Sequence, residues 1–124
     1  MDPTREIVAL TAALRALEAA IAPPRPGSSL GNWRWSVRQR LGGVREAVVN
    51  GAPAGSSDTP SAHTALRERG ALLTRASDLA DGVLDRADIE DVRTDLRRLM
   101  ADASRYVRLL QDVAAESRAA TAAG

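Results

Sequence analysis

The chain has 124 residues, enough for one domain that buries a core without disulfides or metals. It contains no cysteine and one histidine, His63, which excludes a thiol nucleophile, a disulfide and a His–Cys zinc site. Its 17 basic residues, all arginine, nearly balance 16 acidic ones; at a net charge of +1 the chain has no global basic footprint, and nucleic acid is not expected as a partner.

The opening "MDPTREIVAL" carries an acid and lacks a basic flank before an apolar stretch, so it does not read as a signal peptide. No apolar run reaches the length of roughly 18 residues that a membrane span needs. A cytoplasmic protein with no membrane contact is the expectation. Asp2 as an N-cap and Pro3 at the first helical position start a helix over about 3–21. Ile7, Leu10, Leu14, Leu17 and Ile21 then alternate at spacings of three and four, a helical seam. "APPRPGSS" (22–29) breaks that helix, because proline lacks the backbone donor and restricts the residue before it.

Ser29 caps a second helix over about 30–49, with its stripe at Leu30, Trp33, Val37, Leu41, Val44 and Val48. Asn50 and Gly51 suit its C-terminal stop, since both tolerate the left-handed conformation. After the loop "GAPAGSSDTP", Thr59 and Pro60 open a third helix over about 60–86. Its inner face is Ala62, Ala65, Leu72, Leu73, Ala76, Ala80 and Val83, with Asp78, Asp81 and Asp85 opposite. A tight turn capped by Asp88 leads to a fourth helix over about 89–118. Ile89, Val92, Leu96, Leu99, Ala103, Tyr106, Leu110, Val113 and Ser117 keep an unbroken three–four alternation there. Residues 119–124 read as a frayed tail. No segment alternates with a period of two.

Four amphipathic helices in one domain over residues 1–118 have only each other to pack against. The expected fold is all-α: an antiparallel up-down-up-down four-helix bundle, the short turn at Asp88 making the last two helices neighbours. The competing arrangement is a long hairpin of those two helices that dimerises, with the first two alongside.

Catalytic signatures are absent. Glu18, Glu46, Glu68, Glu90 and Glu116 are none of them followed three residues later by histidine, so the di-iron carboxylate pattern is missing. There is no lysine-bearing phosphate loop and no nucleophile elbow. No metal, no cofactor and no enzymatic activity are expected. His63, in the first turn of the third helix, reads as an exposed residue beside a loop.

The run Trp33…Val37…Leu41…Val44…Val48, then "ALRERGALLTRA", then "DLRRLMADASRYVRLLQDV", resembles small hemerythrin-like four-helix bundle proteins of actinobacteria, over roughly residues 30 to 115. The resemblance implies a bundle whose metal ligands project inward. Its ligand positions would fall near Asn50 or Gly51, at Arg69, at Tyr106 and near Gln111. None of these is a histidine or a carboxylate, so the resemblance implies a bundle that has lost its metal site.

Two groups of residues remain as candidate sites. Arg69 falls on the apolar seam of the third helix, where a charge must snorkel or find a partner. Its expected partners are Tyr106, Gln111 or a carboxylate of the fourth helix, and the same three residues would serve a small ligand or anion held in the bundle. The other group surrounds "GNWRWSVRQR" (31–40), which holds both tryptophans of a chain with three aromatic residues. Trp33 lies about 40° from Val37 on the helical wheel, inside the core stripe, and Trp35 about 160° from it, nearly opposite. Arg34, Arg38 and Arg45 run along one flank of this helix, open to acidic neighbours or phosphates. Trp35 must be covered by the folded-back linker or by another molecule, and aromatic residues beside arginine are enriched at interfaces. The functional expectation is therefore a non-enzymatic bundle acting by protein–protein contact, through a protein partner or as a homodimer. A small-ligand bundle using Arg69 is the alternative, and a degenerate hemerythrin-like metal domain the third reading.

Overall fold

Each periodic segment is a helix. The structure, a computed structural model, describes residues 4–27, 29–51 and 59–123. The helices are α1 (Thr4–Ala20), α2 (Leu30–Asn50), α3 (Pro60–Asp85) and α4 (Ile89–Ala123), with no strand among the described residues. Helix α4 continues through 119–123 instead of stopping at 118. The expected cap at Asp2 and Pro3, and most of the loop after Gly51, lie outside the described residues.

The starts are set by local chemistry. The Ser29 hydroxyl accepts the Asn32 N–H at 3.3 Å. Thr59 accepts the Ala62 N–H at 3.2 Å, with Pro60 at the first helical position. Asp88 Oδ1 accepts the N–H groups of Glu90 and Asp91 at 3.0 and 3.3 Å, which starts α4 directly after the turn.

The ends are set by other helices. None of α1, α2 or α3 has a basic residue in its own last turn. Their carbonyls instead meet arginines from a neighbour. Arg93 of α4 donates from Nε to the Ile21 carbonyl at 2.8 Å, and the Trp33 indole N–H donates to Ala22 at 2.7 Å. Arg69 of α3 donates to the Val48 and Val49 carbonyls at the end of α2, at 3.3 and 3.2 Å. Arg34 of α2 donates to the Val83, Leu84 and Arg86 carbonyls at the end of α3, at 2.8, 3.2 and 2.8 Å. A guanidinium at a helix C-terminus supplies both the missing donors and a favourable charge.

Among the described residues each helix packs on two neighbours, and the backbones of the diagonal pairs make no close approach: α1 lies against α2 and α4, and α3 against α2 and α4. Arg34 near the start of α2 sits at the end of α3, and Arg93 near the start of α4 sits at the end of α1, so neighbouring helices are antiparallel. The chain is an all-α four-helix bundle. Further ion pairs tie α3 to α4: Arg75 with Asp102, and Arg86 with Asp95 at 2.6 Å.

The core follows the seams, with Leu10, Leu17, Val37, Leu96, Leu99 and Tyr106 almost wholly buried. Several seam positions differ from the sequence reading, and Leu73, Ala80, Ile89 and Val113 are only half-buried. Leu30 is 41% exposed, because it stands in the first turn of α2, before the buried stripe starts at Trp33. Ile7 is only half-buried, because Glu6 takes the inner place in the first turns of α1. Ser117 is exposed, and Ala114 is the last buried residue of α4.

Leu96 and Leu99 are 0% and 1% exposed, so Leu→Ala at either is expected to cost about 2–5 kcal/mol in urea denaturation. Arg97 lies in solvent, and Arg97→Ala is expected to change stability by no more than about 0.5 kcal/mol. A larger loss at Arg97 than at Leu99 would mean that this helix is rotated relative to the structure.

Candidate functional site

Two features hold the chemistry: a buried polar cluster at the end of the bundle where α2 finishes, and the outer face of α2.

The cluster forms around Glu6, which is 7% exposed. Tyr106, fully buried on the α4 seam, donates its hydroxyl to Glu6 Oε1 at 3.0 Å. Arg69 from the α3 seam adds a positive charge close to both. Burial raises the Glu6 carboxyl above the ordinary 4.5, opposed by the Tyr106 hydrogen bond and the Arg69 charge. Burial also pushes the Tyr106 phenol up, helped by the Glu6 charge and the hydrogen bond.

Gly51 closes the cluster. A Cβ built there would stand 2.2 Å from Glu6 Cγ and 2.4 Å from its Cδ. Its φ is −88°, so the left-handed turn expected of Asn50–Gly51 does not form. Glycine is needed here for room: the Glu6 side chain runs across the backbone where another residue would carry its Cβ. An open cleft of ≈ 400 Å³ lies alongside, between α1 and α2, lined by Arg5, Glu46, Asn50 and Gly51 as well as Glu6.

The structure thus brings Gly51, Arg69 and Tyr106 together and leaves Gln111 exposed in solvent. Arg69 is half-buried, as its seam position implies, but it bonds the end of α2, and its carboxylate neighbour comes from α1. Glu6 is the residue that sequence reasoning missed. It precedes Leu10 by four, beside the more obvious Ile7. The available signal was the occurrence of polar residues on three different seams, at Glu6, Arg69 and Tyr106. Chemically the cluster is a satisfied network: the tyrosine proton is committed to the carboxylate, and the guanidinium to main-chain carbonyls. Among the described residues no three histidine or carboxylate side chains come together as a metal site.

On α2 the two tryptophans part as their spacing requires. Trp33 is 9% exposed and hydrogen-bonded, whereas Trp35 is 63% exposed and is left uncovered by the described part of the linker. Of the flanking arginines, Arg34 turns to the end of α3, and Arg38 and Arg45 stand in solvent. His63 is exposed at the start of α3. No helix of the described residues is long and apolar enough to cross a membrane. No protein-family model, curated protein or solved structure matches the chain.

Two outcomes test the cluster. Because folding raises the Glu6 pKa, the folded protein holds its proton more tightly than the unfolded chain. Stability is therefore lost as pH rises from about 4.5 through the higher folded value. Glu6→Gln, which still accepts from Tyr106, removes that loss, so its stability relative to the parent is expected to increase over this window in a pH series of urea melts. Gly51→Ala is expected to cost about 1–3 kcal/mol through the clash with Glu6, and much less in a Glu6→Ala background. Additive costs would show that the two residues do not touch.

Proposed function

We propose that the chain is a non-enzymatic, cytoplasmic helical-bundle protein that acts by protein–protein contact through the outer face of α2. Trp35 is the anchor, with Arg38 and Arg45 beside it. The observation that carries this reading is the exposure of Trp35, 63%, in a chain with only two tryptophans, the other of which is buried. A large, rigid aromatic beside arginines is the side-chain combination most often found to dominate binding energy at protein interfaces. Such a residue left in water gains most by being covered.

The alternative, a small ligand or anion held by Arg69, Tyr106 and Gln111, has less support. The Arg69 donors are engaged by Val48 and Val49, the Tyr106 proton by Glu6, and Gln111 faces solvent. A hemerythrin-like bundle without its metal, the third reading, rests on the apolar spacing alone.

Trp35→Ala is expected to leave folding stability within about 0.5 kcal/mol of the parent, while Trp33→Ala costs about 3–5 kcal/mol. With the photo-reactive residue benzoylphenylalanine in place of Trp35, irradiation in the source cell is expected to give a protein adduct that the same residue in place of Val8, on the outer face of α1, does not. Absence of any adduct specific to position 35 would overturn the proposal, as would a stability loss from Trp35→Ala as large as that from Trp33→Ala.

A further inference from the structure

Glu6 uses only one of its oxygens in the core. Oε1 takes the Tyr106 hydroxyl, whereas Oε2 takes no hydrogen bond among the described residues. Oε2 is not enclosed either: the one enclosed side-chain oxygen left without a partner there belongs to Glu116. Glu6 as a whole is 7% exposed, and the cleft between α1 and α2 is the opening that it lines. An unpartnered carboxylate oxygen therefore looks into that cleft. The charge of Arg69 is felt there, but its donors serve the Val48 and Val49 carbonyls. The lone pairs of Oε2 are left for another donor.

The cleft has a floor of small residues and a charged rim. Arg5 and Ala9 stand one turn apart on α1, and Gly43, Ala47 and Asn50 on successive turns of α2, with Glu46 beside them. Ala9, Gly43 and Ala47 carry too little side chain to close the space. An added Cβ at Gly43 would meet no atom within 4 Å. The volume, ≈ 400 Å³, lies toward the lower end of the roughly 300–1,000 Å³ of small-molecule sites.

Opposite charges reach this cleft from opposite helices, Arg5 from α1 and Glu46 from α2. Both are exposed, and neither forms an ion pair among the described residues. A second cleft, of ≈ 240 Å³, is lined by Glu68, Arg105 and Arg108 among others. No buried polar group lines it, and Arg105 is paired with Asp102.

The groups of the first cleft complement a zwitterion. The Arg5 guanidinium offers paired donors to a carboxylate. Glu6 Oε2, the Glu46 carboxylate and the Asn50 amide oxygen offer acceptors for the three protons of an ammonium. A lone cation would be repelled by Arg5, and a lone anion by Glu6 and Glu46. Burial disfavours charge on Glu6, and an ammonium beside it would oppose that effect. Ala9, Gly43 and Ala47 present an apolar surface to the rest of the molecule.

We propose that the cleft between α1 and α2 binds a free α-amino acid with a small apolar side chain. Its carboxylate lies on Arg5, its ammonium between Glu6 and Glu46, and its side chain against the small-residue floor. The site shares no residue with the contact face of Trp35, Arg38 and Arg45, so the two proposals stand or fall separately.

The test follows the amide NMR spectrum of the full chain during titration. L-Alanine and L-valine are expected to shift the amides of Arg5, Gly43 and Glu46 saturably. Ethylammonium and propionate carry one charge each and are expected to bind more weakly by roughly tenfold or more. Arg5→Gln and Glu46→Gln, at exposed positions, are each expected to weaken amino-acid binding by roughly tenfold or more. Gly43→Leu is expected to abolish it by filling the cleft. Its thermal stability should be unchanged or higher, because leucine is the better helix former and has free space there. Gly70→Leu, at an equally open glycine of α3, is expected to bind as the parent does.

The absence of any saturable shift at the cleft amides overturns the proposal. So does ethylammonium or propionate binding as tightly as L-alanine. Binding that survives Gly43→Leu, or both glutamine substitutions, places the amino acid elsewhere and overturns it too.

Discussion

The bundle depends on helix ends that cannot complete themselves. All four helices finish without a basic residue in the last turn, and α1, α2 and α3 each take an arginine, at residue 93, 69 or 34, from a neighbour. An uncapped carbonyl end that leaves water without a partner costs of order a lost hydrogen bond for each group. The bonds form only when helices run antiparallel with their ends level, so they select the topology as well as stabilise it. At the end of α3 a single guanidinium nitrogen, Arg34 Nη1, lies within hydrogen-bond distance of three carbonyls, those of Val83, Leu84 and Arg86.

The Glu6 cluster adds a constraint that apolar packing lacks. A seam of Leu10, Leu14, Leu17 and Ile21 would accept a shift of α1 by one heptad with modest loss. Glu6 would not, because among the described residues its carboxylate takes its hydrogen bond from Tyr106 and its countercharge from Arg69, and its side chain runs over Gly51. Slipped, it would be a buried polar group with no partner. Burial raises the carboxyl against the opposing pull of Tyr106 and Arg69. Arg93 on Ile21 holds the other end of α1, so the helix is fixed at both ends.

Much of this was legible in the sequence because it is local. Ser29, Thr59 and Asp88 cap the helices they precede, and the three–four spacing locates the buried stripes to within a residue or two. Trp33 and Trp35 were separable by wheel geometry alone. What could not be read depends on the third dimension. Arg69 was placed on its seam correctly, but its partners are carbonyls of α2 and a carboxylate of α1, and no spacing along α3 names them. Gly51 follows an asparagine at a helix end and suggests a left-handed turn; only the path of Glu6 across it shows that the missing Cβ matters. Arg34 looked like part of a solvent-exposed flank with Arg38 and Arg45, because a wheel does not show that α3 ends within its reach.

The pairing of tryptophans two residues apart follows from the same contacts. Trp33 is drawn toward α1 by its hydrogen bond to Ala22, and Arg34 toward α3 by the carbonyls of residues 83, 84 and 86. Those side chains leave the helix about 100° apart, so together they fix its rotation about its own axis. The next position along has one direction left, away from the core, and Trp35 occupies it. The neighbouring contacts thus hold position 35 outward on a helix that cannot roll. The interaction that closes the end of α3 therefore also sets the direction in which the outer face of α2 points.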